Sequence, residues 1–365
     1  MRAVFAIKSL NTIGGGAEKV FTQVISGLVA RGHEVRVLTF DPPGTSFYPL
    51  DRSAARTDLN LGPVGSPTPR GALIQALPRI RKVVEAMEPD IAVGFMHSMF
   101  VPLGVALAGT GIPLIASEHT SIEHFGRSRV QRLLLELAPL LSVAGTIPSD
   151  RVRRDYPHRL RRRMWVIPNP VSSRPTAARR SRGHVVLAVG RLSAEKNHGE
   201  LIRAFERVAL RFRDWQLRII GDGVLRSDLE SEVQKSGLEH QVVLPGATND
   251  VAAEYAIAAF VVVPSRYESF GLVTAEALAA GRAVIGFADC PGTNGLIAHG
   301  VNGLLVDGSG DRVSSLAAGL ERMMADDELR QRMGTAGPAS VSAFDLYAVV
   351  DRWEDLLLRC SALRR

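Results

Sequence analysis

Cysteine is scarce: Cys290 and Cys360 are the only two in 365 residues. They stand far apart and in no metal-ligand spacing, which argues against a disulfide framework or a zinc site and suits a reducing cytoplasm. Aromatic residues make up 6% of the chain and no nucleic-acid-binding motif accompanies them, so nucleic acid is not an expected partner. No apolar run reaches the roughly 18 residues of a spanning helix. The amino terminus, MRAVFAIKSLNTIGGG, has a short, alternating apolar part and no small-residue cleavage site after it, unlike a secretory leader. No Asp-x-Asp occurs anywhere.

What is present is a globular composition, 46% hydrophobic and 22% charged, at a length of 365 residues that suits two domains better than one core. The net charge of +7 is uneven. Residues 1–173 hold 21 Lys and Arg against 13 Asp and Glu, residues 174–182 add four arginines, and residues 183–365 hold 19 against 24. A basic first half points to an anionic surface or substrate. The densest run is Arg151 to Arg163, RVRRDYPHRLRRR, and an anionic membrane face is its expected partner, since each basic residue near such a face gains about 1 kcal/mol.

Strand-like and helical patterns alternate along the chain. Strands are predicted near 2–8, 34–40, 91–95, 113–117 and 142–147, with helices near 16–31, 71–87, 99–109 and 128–139. The segment VIPNPVSSRPTAARRSRGH, with three prolines, three serines and clustered arginines, reads as a linker. Strands resume near 184–190, 216–220, 241–244, 259–263 and 283–287, and a last helix spans about 339–361. This alternation predicts an α/β protein of two doubly wound, Rossmann-like parallel sheets. The expected domains are 1–172, 173–340 and a helix in 341–365 that crosses back to the first. Ligands in such sheets bind outside the carboxyl ends of the strands, so two facing domains would place a cleft between them.

Three loops at those ends carry chemistry. NTIGGGAEKV (11–20) opens the first helix with glycines that let backbone approach a ligand. It is no dinucleotide fingerprint, because Lys19 stands at the third glycine position, and it is no P-loop. AVGRLSAEKNH (188–198) sets Arg191 and Lys196 five apart after a strand, a fork and a point charge suited to a diphosphate. PSRYESFGLVTAEALAAGRAVIG (264–286) sets Glu268 in a turn and Glu276 in an apolar helix. Carboxylates so placed need partners, and one that accepts two vicinal hydroxyls suits a ribose.

Glu268 and Glu276, with seven residues between them, resemble the E-x7-E motif of retaining glycosyltransferases of the GT-B fold. GRLSAEKNH, IIGDGVLRSDLE (219–230), HGVNGLLV (299–306) and GGGAEKV resemble further segments of glycosyltransferase family 4, in order along nearly the whole chain. GGGAEKV, SFYPL (46–50) and ASEHTS (116–121) look most like bacterial enzymes that extend surface or lipid-linked saccharides, several with galactose or N-acetylgalactosamine. The resemblance implies a retaining, metal-independent hexosyltransferase. It implies a UDP-sugar donor, a saccharide or polyprenyl-linked acceptor, no cofactor, and a cytoplasmic, peripheral place at the inner membrane face. Arg191 and Lys196 would neutralise the diphosphate, Glu276 would bind the ribose, and Glu268 the sugar. The amides of Phe270, Gly271 and Leu272, with Gly15 and Gly16, would meet the distal phosphate. Leu244, in VVLPGA, would lie against the base. His97 would help position the sugar, and Glu118 and His119 would meet the acceptor. One departure is CPGTNGLIAHG, where relatives carry an acidic residue and this chain has Asn294 and Gly295. The rival readings are a nucleotide-sugar epimerase or hydrolase of the same fold and a non-catalytic nucleotide-sugar-binding subunit.

Overall fold

The computed structural model describes residues 1–66, 68–120, 141–171 and 183–363. The predicted helix over 128–139 and most of the arginine-rich linker lie outside the described residues. The chain divides into two compact units, Met1–Pro170 with Leu346–Arg365, and Val171–Asp345.

The first unit is built on a parallel sheet of seven strands: β1 (Arg2–Ile7), β2 (Glu34–Thr39), β3 (Ala55–Asp58), β4 (Ile91–Phe95), β5 (Leu114–Ser117), β6 (Ala144–Ile147) and β7 (Met164–Val166). Their order is β3-β2-β1-β4-β5-β6-β7. Phe5 lies opposite Val37 on one side and Val93 on the other. Residues 3–7 of β1 are all buried. Such an unbroken apolar run marks a parallel strand covered on both faces.

The covering is visible in an aromatic cluster. Phe21, on the helix Gly16–Ala30, meets Phe95 edge to face at 5.0 Å, and Trp353 stacks on Phe95 at 5.7 Å. Trp353 belongs to the terminal helix, Leu346–Ser361, so the last element of the chain completes the core of the first unit. Close approach to the helix Gly16–Ala30 is made possible by Gly27, where a Cβ would fall 2.4 Å from Val350. Arg31 and His33 both reach Glu354, at 2.6 and 2.8 Å.

The second unit repeats the plan with six parallel strands: β8 (Val185–Val189), β9 (Gln216–Ile220), β10 (Val242–Gly246), β11 (Phe260–Val263), β12 (Val284–Phe287) and β13 (Gly303–Val306), ordered β10-β9-β8-β11-β12-β13. In each sheet the strand order reverses once, between β1 and β4 and between β8 and β11. The loops leaving those strands therefore border the crevice where ligands settle.

Three strands escape the sequence pattern. β3, β7 and β13 lie at sheet edges and are only three or four residues long. The predicted helix over 339–361 also divides. A helix Asp327–Ser340 ends, a 3-10 turn follows, and Leu346–Ser361 starts anew.

Candidate functional site

At the end of β8 the chain turns at Gly190 into the loop that carries Arg191 and Lys196. Glycines in the neighbouring turn make room for it. A Cβ on Gly221, whose φ is +149°, would fall 1.9 Å from the Gly190 carbonyl oxygen, and one on Gly223 would fall 2.5 Å from that of Leu192. The two turns are then bonded together: Leu192 N–H donates to Asp222 and Leu225 N–H to Leu192, both at 3.0 Å. Arg191 is exposed, and among the described residues no hydrogen bond or ion pair holds its guanidinium.

Lys196 is brought directly to Glu268. Its Nζ lies 2.5 Å from Oε1, an oxygen that also accepts from Ser265 Oγ at 2.7 Å. Asn197 follows in the left-handed conformation, φ 58° and ψ 35°, which Asn tolerates better than most residues. Its side-chain amide donates to Glu200, and Glu200 also accepts from Arg266 and, at 3.2 Å, from Arg312. Arg266 N–H donates to the Glu195 carbonyl at 3.0 Å. The lysine loop and the glutamate loop are thus tied at both ends.

Glu268 leads into Gly271, at φ +83°, and the helix Leu272–Ala279. A Cβ on Gly271 would lie 2.9 Å from the Gly292 carbonyl, so this turn needs glycine on both counts. No side chain caps the helix, and orphan amides at a helix start favour anions. Phe270 contributes its backbone only; its ring is buried against Phe344 at 5.3 Å. Glu276 is partly buried one turn into the helix and accepts from Tyr255 Oη at 3.2 Å. Leu244 stands on β10, packed on the core, with its carbonyl held by Arg226 at 2.8 Å. Arg191, Lys196, Leu244, Glu268 and Glu276 therefore share the carboxyl edge of one sheet.

In the first unit Gly14 takes φ +72°, Gly15 is the buried N-cap, and Gly16 is exposed as the first residue of its helix. This loop is anchored by buried Asp41, which accepts from Ser9 Oγ at 2.6 Å, Leu10 N–H at 2.7 Å and Arg56 at 3.1 Å. His97 opens the helix His97–Leu107 just after β4.

Residues 173–340 match the family model described as glycosyl transferases group 1, and residues 14–174 match glycosyltransferase family 4. An uncharacterized glycosyltransferase of Haemophilus influenzae is 22% identical over 94% of this chain and 96% of its own. A Campylobacter jejuni α-1,4-N-acetyl-D-galactosaminyltransferase, named for a diNAcBac-PP-undecaprenol-linked saccharide, is 26% identical over 98% of both chains. Two further curated relatives, from Streptomyces, are matched over only 44% and 20% of their length. The solved structure of Anabaena Alr3699/HepE in complex with UDP and glucose superposes with a TM-score of 0.80 at 20% identity, covering 98% of this chain and 99% of that one. The chain belongs to the GT-B glycosyltransferases.

Glu118 and His119, expected at the acceptor, are both held by bonds within the first unit. Glu118 is 3% exposed. One of its oxygens accepts from the amides of His119 and Thr120, both at 2.9 Å. The other accepts from the His97 amide at 3.1 Å and His97 Nδ1 at 3.2 Å. The His119 ring stacks on Phe95 at 4.8 Å, with Nε2 at 2.9 Å from Ser117 Oγ and Nδ1 at 3.2 Å from Asn169 Oδ1. Burial drives its pKa down to about 4, against the pull of Glu118 and Asn169. A neutral ring with its proton on Nδ1 satisfies both bonds, so His119 ties the loop to Ser117 and Asn169. Sequence reasoning also missed Asp41, Glu200, Tyr255 and Ser265. Each acts through the fold, and only Asp41 and Ser265, at strand ends, carried a local signal.

His198 supplies a pH dependence. It is buried beneath the loop, and desolvation, then the Lys196 charge, lowers its pKa from 6.5 to about 4. The unfolded chain therefore takes up this proton first. The stabilisation is complete above pH 6.5 and is lost as the pH falls toward 4, by about 3 kcal/mol at about 1.4 kcal/mol per pH unit. Urea unfolding at pH 7 and pH 4.5 will show this loss together with the like one from His119, and His198→Gln will remove only its own share. An equal slope in the variant would assign the acid sensitivity elsewhere.

Proposed function

We propose that this glycosyltransferase moves a hexose or N-acetylhexosamine from a UDP-sugar to a saccharide or polyprenyl-linked acceptor, with retention at the anomeric carbon. The observation that carries the reading is the Lys196–Glu268 pair beside Arg191, at the carboxyl edge of the second sheet. Two cations there suit a diphosphate leaving group, whose charge grows as the sugar–oxygen bond breaks. Glu268 lies within reach of the same ammonium and suits the transferred sugar, and Glu276, oriented by Tyr255, suits the ribose hydroxyls. The acceptor hydroxyl attacks the anomeric carbon on the face the diphosphate leaves, and its proton passes to the departing phosphate oxygen. With Arg191 and Lys196 in that role the reaction needs no divalent metal, and activity is expected to survive EDTA. Galactose or N-acetylgalactosamine is favoured by the printed activity of the Campylobacter relative.

Docking at the inner face of an anionic membrane is part of the same reading. No helix among the described residues is long and apolar enough to cross a bilayer. The run from Arg151 instead turns Val152, Tyr156 and Leu160 inward and leaves Arg151, Arg154, Arg162 and Arg163 exposed. Trp165, 38% exposed, lies next to them, and such an aromatic suits the membrane interface. Equal sedimentation with neutral and anionic vesicles at low salt would remove this part.

UDP itself tests the donor site. Ligand at a hundredfold excess over its dissociation constant stabilises by about 2.7 kcal/mol, so UDP will raise the melting temperature by several degrees. A panel in which no nucleoside diphosphate shifts the transition would sink the reading.

A further inference from the structure

We propose that Glu200 is a positioning residue for the donor diphosphate: it locks the loop of Lys196 to the loop of Glu268, so that ammonium and carboxylate meet the ligand in one fixed arrangement. The proposal rests on the reading of Arg191 and Lys196 as the diphosphate's partners. Every residue it needs lies in the second unit. Glu200 stands in the first turn of the helix His198–Ala209, where a glutamate ordinarily reaches back only to cap its own helix. Here it gathers three donors. One oxygen, Oε1, accepts from Arg266, which lies between β11 and Glu268. The other, Oε2, accepts from the Asn197 side-chain amide, next to Lys196, and from Arg312 Nε at 3.2 Å. These donors come from the loop after β8, the loop after β11 and the start of the helix Arg312–Ala325. Asn197 also reaches the Pro264 carbonyl at 3.4 Å, and the Arg266 amide donates to the Glu195 carbonyl at 3.0 Å. Side chains and backbone therefore both cross between the lysine loop and the glutamate loop.

Arg312 extends the brace to a third loop. Its Nη1 lies 2.7 Å from Asp289 Oδ2, just after β12, and its Cζ sits 3.6 Å from the centre of the Phe287 ring. From the same loop the Gly292 amide holds the Glu268 carbonyl at 2.9 Å. Gly308 leaves room for Asp289: a Cβ there would fall 2.1 Å from its Oδ1. Glu200 is 8% exposed and Arg312 9%. Buried ion pairs add little net stability over well-packed apolar side chains, so stability alone is a poor reason for this cluster. What the cluster supplies is geometry. A carboxylate with both oxygens engaged permits one placement of the three segments, and in that placement Lys196 Nζ meets Glu268 Oε1.

Two measurements on the full chain test this. Hydrogen exchange read by mass spectrometry needs no ligand. In Glu200→Gln, peptides covering 192–197 and 265–271 are expected to exchange on the order of tenfold faster together, while those of β8 and β11 keep their rates. Arg266→Met removes a side chain that is 56% exposed and that the fold can spare. It is expected to loosen the same two peptides, even if Glu200→Gln fails to fold. Unchanged exchange of 192–197, or an equal rise over β8 and β11, would overturn the proposal. The second measurement is titration calorimetry with UDP, pyrophosphate and uridine. Glu200→Gln is expected to weaken UDP and pyrophosphate by a common factor, on the order of tenfold, and to leave uridine unchanged. Equal weakening of all three would make Glu200 a support of the whole unit and refute its role at the diphosphate. If the wild type binds neither UDP nor pyrophosphate, the donor reading is at fault, and the exchange rates still decide whether Glu200 couples the loops.

Discussion

Lys196→Ala will lower kcat for sugar transfer by about a thousandfold, the upper range for removing one fixed donor from a developing negative charge. Its ammonium is partly buried, with 23% of the side chain exposed, and lies 2.5 Å from Glu268, whose side chain is 13% exposed. In that position the lysine can neutralise charge that grows on the leaving diphosphate, where water would do so poorly. The alanine also strips Glu268 of its cation, so the variant loses two functions at once. Lys196→Arg separates them. It keeps the charge but replaces a compact ammonium with a planar fork, so Glu268 stays neutralised while the fit to phosphate worsens. The expected order of kcat is wild type, then Lys196→Arg, then Lys196→Ala. Single-turnover assays at saturating donor will measure it. A kcat for Lys196→Ala within tenfold of wild type would place the diphosphate elsewhere.

Glu276→Gln will weaken UDP binding by roughly ten- to a hundredfold, since hydrogen bonds to a charged group contribute about 1.5–3 kcal/mol. Glu276 stands in a helix whose other turns face the core, with Thr274, Ala275, Ala277 and Leu278 all buried. A carboxylate there is retained against the cost of partial burial, and Tyr255 holds one of its oxygens at 3.2 Å. Titration calorimetry with UDP and with inorganic pyrophosphate tells the ribose from the phosphate. The substitution should weaken UDP and leave pyrophosphate unchanged. Equal weakening of both would reassign Glu276 to the diphosphate.

Much of this fold was legible in the sequence because parallel strands covered on both faces are short apolar runs. The runs in β1, β4, β8 and β11 stand out against the helices between them. β3 reads ARTD and β7 reads MWV. At a sheet edge neither run has to be apolar or long, so neither pattern betrayed a strand. In the candidate site, Arg191, Lys196 and Glu268 stood out because they sit in strand-end loops with unusual glycines, and Glu276 because a carboxylate is unexpected in an apolar helix. Their supports were not. Glu118 meets His97 across 21 positions, and Arg312 meets Glu200 across 112. Spacing along the chain holds no record of such bonds. Glu118 and His119 stand out by their position after β5, but the bonds that tie them to His97, Ser117 and Asn169 do not.

The terminal helix has a consequence for biosynthesis. Trp353 stacks on Phe95, yet the two are separated in the chain by the whole of the second unit. During translation residues 171–345 are all synthesised before the helix that walls the first sheet. Domains fold as units in order of synthesis, so here the later unit is finished first and the earlier one waits for the last helix. A released chain truncated after Asp345 should therefore resist protease in its second unit while remaining open in its first.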